Sequence, residues 1–206
     1  MTTATAQNQP DLVFDPQLIK RFDINGPRYT SYPTADRFVE AFDANALGVW
    51  LGKRSVGGIS RPFSLYVHIP FCSTICYYCA CNKIITKDHG RSANYLSYLA
   101  KEIAMQAALV DGSHELIQLH LGGGTPTFLS HDEMRQLIGT IREHFRFLPN
   151  GEYSIEVDPR KVDFATVQLL AELGFNRMSV GVQDFDPDVQ RAVNRVQSIE
   201  ETRAVI

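Results

Sequence analysis

The sequence lacks the features of a membrane or exported protein. None of its apolar runs approaches the ~20 residues that a membrane-spanning helix needs. Its start, MTTATAQNQPDLVFDP, has no basic region followed by an apolar one and is therefore not a secretory signal. We expect a cytoplasmic protein that has no membrane partner.

A strong excess of charge is also missing. Twenty basic residues face 23 acidic ones, which leaves a formal net charge of -3. Domains that bind nucleic acid are usually basic, so we expect no nucleic-acid partner. Hydrophobic residues make up 44% of the 206 residues, which is enough for a globular domain with its own core. We expect a monomer.

Cysteine is scarce and confined to ten residues, at positions 72, 76, 79 and 81. Disulfides usually join cysteines that are spread along a chain, whereas crowded cysteines in a reducing cytosol indicate metal ligands or reactive thiols. Cys72, Cys76 and Cys79 are spaced to bring three sulfurs to one [4Fe–4S] cluster and to leave its fourth iron open. The alternative is a zinc site made of all four cysteines, but zinc sites usually draw on two separated pairs.

Strands and helices are predicted to alternate along the rest of the chain. Periodicity predicts strands at 64–70, 116–121, 153–157 and 177–182. Each strand is followed by a predicted helix with one apolar face. The faces are, in order, Leu96, Leu99, Ile103 and Val110; Met134, Leu137, Ile138, Ile141 and Phe145; Val167, Leu170 and Leu173; and Val189, Val193 and Val196. A Ser130–Glu133 capping box begins the second helix, Gly174 closes the third, and Asp186 as N-cap with Pro187 begins the fourth. Four βα units in a row predict an α/β fold with a parallel sheet, either a partial (β/α) barrel or an open doubly wound sheet.

The domain organisation follows from the same pattern. Residues 1–60 are predicted to be an N-terminal extension, of which the first ~12 are polar and disordered. Within it, the proline-containing segment GPRYTSYPT (26–34) suits neither a helix nor a central strand. Residues 61–206 are predicted to be the partial barrel. Because a complete eight-unit barrel takes ~250 residues, we expect truncation at the C-terminus.

Unusual residues follow all four predicted strands. They are the cysteine loop, GGGTPT (122–127), Glu156 with Asp158, and Gln183 with Asp184. The carboxyl ends of parallel strands meet at one rim, where α/β folds bind ligands. Glycines there allow a ligand to approach the backbone closely, and a buried Glu156 needs a polar partner such as a ribose or an ammonium group. The alternative is a Glu156 that faces solvent.

The spacing C-x3-C-x2-C, with an aromatic residue just before its last cysteine, resembles the radical S-adenosylmethionine (SAM) superfamily. The resemblance implies that Cys72, Cys76 and Cys79 bind a [4Fe–4S] cluster, that Tyr78 lies at the cofactors, and that SAM binds the open iron. Reduction then releases a 5′-deoxyadenosyl radical. The glycines resemble the SAM-binding glycine motif of that superfamily.

A larger set of segments is similar to the oxygen-independent coproporphyrinogen III oxidase (dehydrogenase) family. The resemblance implies an oxidoreductase of haem biosynthesis that converts two propionates of coproporphyrinogen III to vinyls, with an electron donor as partner. Carbon dioxide leaves at each step and protoporphyrinogen IX results. The matching segments are GPRYTSYPT (26–34), YVHIPFC (66–72), CNKI (81–84), LHLGGGTPT (119–127), SIEVDPR (154–160), FNRMSVGVQDF (175–185) and VNR (193–195).

The resemblance also implies roles for single residues. Two SAM molecules would bind: Tyr66, Gly123 and Glu156 resemble contacts of the first, and Gly124, Thr125, Gln183 and Arg195 resemble contacts of the second. Arg195 suits a carboxylate, although a surface arginine is the alternative.

Four further residues carry predictions. Cys81 resembles a catalytic thiol that accompanies decarboxylase activity, and its alternative is a small buried residue. Arg28 and Tyr29 resemble a segment that reaches toward the site, with loop packing as the alternative. His68 is expected to be a satisfied histidine at a strand end rather than a ligand, and the other histidines carry no signal.

Two other functions stay open. A haem-binding chaperone of the related group keeps the cluster motif without decarboxylase activity. Members of that group tend to lack both the GPRYTSYP segment and the C-x-C cysteine that this sequence has. A radical SAM methyltransferase would share the cysteines and glycines but would not need VQDF or VNR.

Overall fold

The computed structural model describes residues 14–24, 34–53, 61–110 and 114–206. Arg28, Tyr29 and the predicted disordered N-terminus lie outside these residues. Contacts divide the chain into two units between Asp43 and Ala44. In the first unit, helix α1 (Pro16–Phe22) begins where the side chain of Asp15 accepts hydrogen bonds from two backbone N–H groups. A 3-10 turn follows at Ala35–Arg37.

The second unit alternates strands and helices, as the sequence predicts. In the described part of the chain, no helix combines the length and the apolar character that crossing a membrane requires. The elements in order are α2 (Ala44–Gly52), β1 (Phe63–Ile69), β2 (Phe71–Cys72), β3 (Ile84–Ile85), α3 (Gly90–Leu109), β4 (Glu115–Gly123), α4 (His131–His144), β5 (Arg146–Val157), α5 (Phe164–Glu172), β6 (Arg177–Val180), α6 (Pro187–Ala192) and α7 (Ile199–Val205), with 3-10 turns at Pro126–Phe128 and Pro159–Lys161.

The main sheet has the strand order β1-β4-β5-β6, and all of its pairs are parallel. Register places Ile69 beside Gly123 and Glu156 beside Ser179. The carboxyl ends of the four strands therefore lie along one rim. The prediction of an α/β fold with parallel strands and four βα units is confirmed.

The core lies between the sheet and its helices. The side chains of Leu116, Leu121 and Ile155 have no exposed surface. The predicted apolar faces of α3 and α4 pack against them, since Leu96, Leu99 and Ile103 and then Met134, Leu137, Ile138, Ile141 and Phe145 are buried. This buried surface holds the strand ends in place, since burying one such side chain contributes about 1.5–3 kcal/mol.

The predicted inward face of α6 is wrong. Val189 and Val196 are 41% and 61% exposed, whereas Gln190 is only 5% exposed. The Gln190 side-chain amide donates to the carbonyls of Asp184 and Gln197, both at 2.8 Å. A helix of six residues is too short to establish a face by periodicity, and hydrogen bonding to the loops on either side decides which side chain turns inward.

Other elements differ in extent from the prediction. Strand β5 begins at Arg146, earlier than predicted, with an irregular register between Leu116 and Gln118 on β4. The two-residue strands β2 and β3 and helix α7 have no counterpart in the predicted pattern. Two-residue strands are too short to show alternation, so only the pairing of Phe71 with Ile84 defines them.

A capping box at the start of α4 ties this helix to α3. The Glu133 side chain accepts from the Ser130 N–H at 2.8 Å and from the Ser92 hydroxyl at 2.6 Å. Burial acts to raise the pKa of Glu133, but these hydrogen bonds outweigh it and lower the pKa below its usual value. The charged form is therefore the one that stabilises the fold.

We expect Glu133→Gln to lower the free energy of unfolding by about 1 kcal/mol at neutral pH. The depressed pKa means that the stabilisation is complete above about pH 4.5, the ordinary pKa of a glutamate, and disappears as the pH falls through the lower folded-state value. Urea unfolding over a pH series measures this difference. Asp132→Asn is the matched control, because this carboxylate lies in the same helical turn with its side chain 97% exposed. An equal pH dependence for both variants would contradict the prediction.

Candidate cofactor site

A cavity of about 470 Å³ opens at the carboxyl rim of the sheet, between the strand ends and the cysteine loop. Its volume lies in the range of ordinary small-molecule sites. All of the predicted site residues except Tyr66 line it, namely Cys72, Cys76, Tyr78, Cys79, Cys81, Gly123, Gly124, Thr125, Glu156, Gln183 and Arg195.

Backbone hydrogen bonds fold the cysteine loop back on itself. The N–H of Ile84 donates to the Pro70 carbonyl at 2.7 Å, and the N–H of Thr86 donates to the Cys72 carbonyl at 2.9 Å. Lys83 closes the loop from the other end, since its ammonium donates to the Cys79 carbonyl at 2.9 Å. The loop is therefore a closed turn with its thiols facing the cavity.

The segment after α6 holds the middle of the loop. The N–H of Tyr77 donates to the Val193 carbonyl at 3.0 Å, and the Asn194 amide donates to the Ile75 carbonyl at 2.6 Å. Asn194 has a φ of 55°, a left-handed conformation that asparagine tolerates better than most residues. The VNR motif thus connects the last βα unit to the cysteines.

The glycine segment lies against the first cysteine. Gly124 donates to the Ile69 carbonyl at 2.8 Å, and the Thr125 hydroxyl lies 3.6 Å from Cys72 Sγ. A Cβ on Gly124 would meet Cys72 Sγ at 2.8 Å and the Phe71 carbonyl oxygen at 2.7 Å, closer than real Cβ contacts come. Glycine is therefore needed here because of the approach of two backbones and a thiol.

Glu156 projects into the cavity from the end of β5 and is held by two groups. Its Oε2 accepts from the Gly123 N–H at 3.2 Å, and its Oε1 lies 3.5 Å from His120 Nε2. The other ring nitrogen of His120 lies 2.7 Å from the Ser154 hydroxyl oxygen, which itself donates to the Leu119 carbonyl at 3.2 Å. The imidazole ring thus spans the distance from the Ser154 hydroxyl to the carboxylate, with Nε2 facing Glu156 Oε1.

Tyr66 lies beside the cavity rather than in its wall. Its ring stacks on that of His120 with centroids 5.9 Å apart, and its hydroxyl lies 2.9 Å from His68 Nδ1. His68 Nε2 faces the Asn82 carbonyl at 2.8 Å, so a neutral His68 donates there and accepts from Tyr66. Burial, then the charge of Glu156, raises the pKa of Tyr66.

Arg195 is buried and engaged, with 8% of its surface exposed. Its guanidinium donates to Asp158 at 2.9 Å, to the Gly181 carbonyl at 3.0 Å and to Gln197 at 3.1 Å. The interpretation of Arg195 as a surface arginine is therefore wrong. The carboxylate that it contacts in this structure belongs to Asp158, and its contact with a SAM molecule stays a prediction.

The three thiols on the cavity wall are soft donors of the kind that hold iron–sulfur clusters. Ligands of one zinc ion lie about 3.8 Å apart, because each Zn–S bond is about 2.3 Å. Among the described residues, no three His, Cys, Asp or Glu side chains are close enough to bind one ion together. Thiolates that each bind a different iron stand farther apart around the same cavity.

Thr127 on the cavity wall adds a buried hydroxyl with no hydrogen-bond partner among the described residues.

Sequence reasoning missed several contributors to this site. His120 was assigned no signal, yet it reaches Glu156, and its position one residue before the buried Leu121 at a strand end would have placed it near the rim. Asp158 is predicted to lie at the rim, and Arg160 follows it in the SIEVDPR segment. The spacing of these residues in the sequence does not show which charges they pair with. Only the folded chain brings Asp158 to Arg195, 37 residues later.

Comparison with known proteins gives a consistent set of similarities. The model of the radical SAM superfamily matches residues 66–206. The oxygen-independent coproporphyrinogen III oxidase of Pseudomonas aeruginosa is 53% identical over 196 residues, which cover 94% of this chain and 42% of that protein. The protein of the same name from Escherichia coli is 46% identical over 187 residues, or 91% of this chain and 40% of that protein.

A solved structure is similar as well. The coproporphyrinogen III oxidase (HemN) from Escherichia coli, described as a radical SAM enzyme, has a TM-score of 0.83 and 44% sequence identity. The similarity covers 94% of this chain and 42% of that one. The chain thus spans about two fifths of the length of the relatives that it matches.

We expect Gly124→Ala to reduce incorporation of a cluster severalfold, because the new methyl group would displace Cys72 Sγ or the Phe71 carbonyl. Iron and sulfide per polypeptide after anaerobic reconstitution measure the effect. Gly139→Ala is the matched control: this glycine lies on α4 with nothing within 4 Å of its added Cβ. The control should keep its iron and gain up to about 1 kcal/mol of stability. Equal iron content in both variants would show that the close approach is unimportant.

Proposed function

The chain belongs to the radical SAM superfamily, and we propose that it acts in the oxidative decarboxylation of coproporphyrinogen III to protoporphyrinogen IX. One observation carries the proposal: the cysteine loop, the glycine segment and Glu156 converge on one cavity. The names of the relatives support the choice of substrate, because they match nearly the whole chain and not only its cysteine motif.

Membership in the superfamily implies a [4Fe–4S] cluster and SAM. Cys72, Cys76 and Cys79 would hold the cluster, and Tyr78 lies among them on the cavity wall. When bound, the two cofactors supply a carbon-centred radical for hydrogen abstraction. Gly123 and Glu156 are the residues proposed to contact SAM, since both line the cavity and the Gly123 N–H holds the Glu156 carboxylate at its edge. Tyr66 would support this contact through the stacked ring of His120.

A second SAM molecule is proposed to contact Gly124, Thr125, Gln183 and Arg195. All four line the same cavity. Gln183 has a φ of 67°, a conformation that is uncommon outside glycine and that often persists at functional sites. Arg195 donates from Nε, Nη1 and Nη2 to protein groups, so we expect it to offer SAM a single hydrogen bond rather than a bidentate clamp.

The proposed reaction removes a hydrogen atom from the β-carbon of a propionate. The carboxylate then leaves as carbon dioxide, and one electron passes to an acceptor, which leaves a vinyl group. The same sequence repeats on the second propionate. Cys81 is exposed on the cavity wall and interacts with the thiol of Cys79, which suits a role in proton or electron transfer during this step. An electron donor is required to start the reaction.

The function is tested on the complete natural polypeptide that carries this sequence, reconstituted anaerobically with iron and sulfide. SAM, a chemical reductant and coproporphyrinogen III are then added. We expect carbon dioxide, protoporphyrinogen IX and 5′-deoxyadenosine to form together, measured by mass spectrometry. Tight haem binding without carbon dioxide would contradict the proposal and favour a haem-binding chaperone. Formation of 5′-deoxyadenosine with a methylated product would favour a methyltransferase.

The cysteines are expected to divide into two groups. Cys72→Ala, Cys76→Ala and Cys79→Ala should each lose most of their iron, because each removes one of three cluster ligands. Cys81→Ala should keep its iron and lose decarboxylation, since its thiol is proposed to act on the reaction rather than on the cluster. Iron content and carbon dioxide release distinguish the two groups. Loss of iron in Cys81→Ala would instead make all four cysteines ligands.

A further inference from the structure

Two guanidinium groups converge on one carboxylate at the wall of the cavity. Arg160 donates to Asp158 from Nε at 3.0 Å and from Nη2 at 2.7 Å, while Arg195 donates from Nη1 at 2.9 Å. The side chains of Asp158, Arg160 and Arg195 are 8%, 15% and 9% exposed. Burial acts to raise the pKa of Asp158, but the hydrogen bonds of Arg160 and the charges of both arginines hold it below its usual range. The three side chains are therefore all charged.

This cluster of charges is directed at one particular cysteine. Arg195 Nη1, the same nitrogen that contacts Asp158, lies 3.8 Å from Cys76 Sγ. Arg160 lines the same cavity as Cys76, and its pKa is raised first by its hydrogen bond to Asp158 and further by the Cys76 thiol. Cys72 differs, since it accepts from the neutral hydroxyl of Thr125.

The net charge of Asp158, Arg160 and Arg195 favours the reduced form of a nearby cluster, which carries one more electron. Two cations and one anion leave the group with one positive charge. A [4Fe–4S] cluster in its 2+ state with three thiolates carries one negative charge, and reduction adds a second. Hydrogen bonds and cations at cluster sulfurs shift the reduction potential, because they stabilise the more negative state.

We infer that Asp158 is a positioning residue that holds Arg160 and Arg195 against Cys76, and that these two arginines raise the reduction potential of the cluster. A higher reduction potential would make the cluster easier for its electron donor to reduce. A purely structural ion pair is a weaker explanation, because burying one gains little stability over apolar residues of the same size. The inference requires the cluster but not the porphyrinogen reaction.

The test is an anaerobic redox titration of the reconstituted complete polypeptide, monitored by electron paramagnetic resonance, without substrate. Arg160→Gln removes one of the two cations that Asp158 holds on the cavity wall beside Cys76. At a fixed potential, we expect the ratio of reduced to oxidised cluster to fall on the order of tenfold, which corresponds to about 59 mV for one electron. Arg160→Lys should restore only part of this, since a lysine keeps the charge but not the guanidinium geometry.

The direction in which Asp158→Asn shifts the reduction potential distinguishes a positioning role of Asp158 from a direct effect of its negative charge. If Asp158 acted only as a nearby anion, its neutralisation would raise the potential. If it positions the arginines, the potential falls, because the Arg160 guanidinium, which Asp158 holds through Nε and Nη2, moves away from the cavity wall beside Cys76. An unchanged or raised potential in Asp158→Asn would overturn the positioning role.

Arg135→Gln is the matched control. This arginine pairs with Asp132 on α4 and does not line the cavity, so its loss removes one positive charge without touching Cys76. Its potential should stay at the parental value. A shift as large as that of Arg160→Gln would mean that net charge alone acts, and would overturn the inference.

Iron and sulfide content is measured before each titration and keeps two failures apart. If the parental polypeptide binds no cluster, the proposed cofactor site is wrong. If the cluster forms and Arg160→Gln leaves its potential unchanged, the proposed function stands and only this inference is wrong. Should Asp158→Asn fail to fold, the two Arg160 variants still decide whether the guanidinium acts on the cluster.

Discussion

The approach of the glycine backbone to Cys72 is the contact on which the rest of the site depends. Gly124 lies so near Cys72 Sγ and the Phe71 carbonyl that a single methyl group would not fit between them. This contact joins the end of β4 to the beginning of the cysteine loop. The backbone N–H of Thr125 donates to the Phe71 carbonyl at 2.8 Å and so fixes how the two segments are aligned. Cys72, the first of the three proposed cluster ligands, is thus positioned by the sheet itself.

The other cysteines are positioned from farther along the chain. Asn194 and Val193 hold the loop at Ile75 and Tyr77, so the conformation of the loop depends on the segment after α6. The sheet supplies one anchor and the fourth βα unit supplies the other. A loop held at its start and in its middle loses little further entropy when it binds a cofactor.

Charge adds a second layer to this geometry. Glu156 lies between the Gly123 N–H and the His120 ring, while Asp158, two residues later, pairs with two arginines. The end of one strand therefore serves two purposes. One carboxylate is open to a ligand on the cavity wall, and the other is buried among cations beside a thiol.

The sequence by itself determined the alternation of strands and helices, the capping box of α4 and the residues that gather at the rim. These follow from periodicity and from the parallel direction of the strands, which are local rules that any reader of the chain can apply. Tertiary structure alone decided that Gln190 rather than Val189 turns inward, that His120 reaches Glu156, and that Asp158 pairs with Arg195. Each of these contacts depends on which polar groups, distant in the sequence, still need a hydrogen-bond partner once the backbone is folded. Partners such as Asp158 and Arg195, which are 37 residues apart, produce no periodic pattern in the sequence.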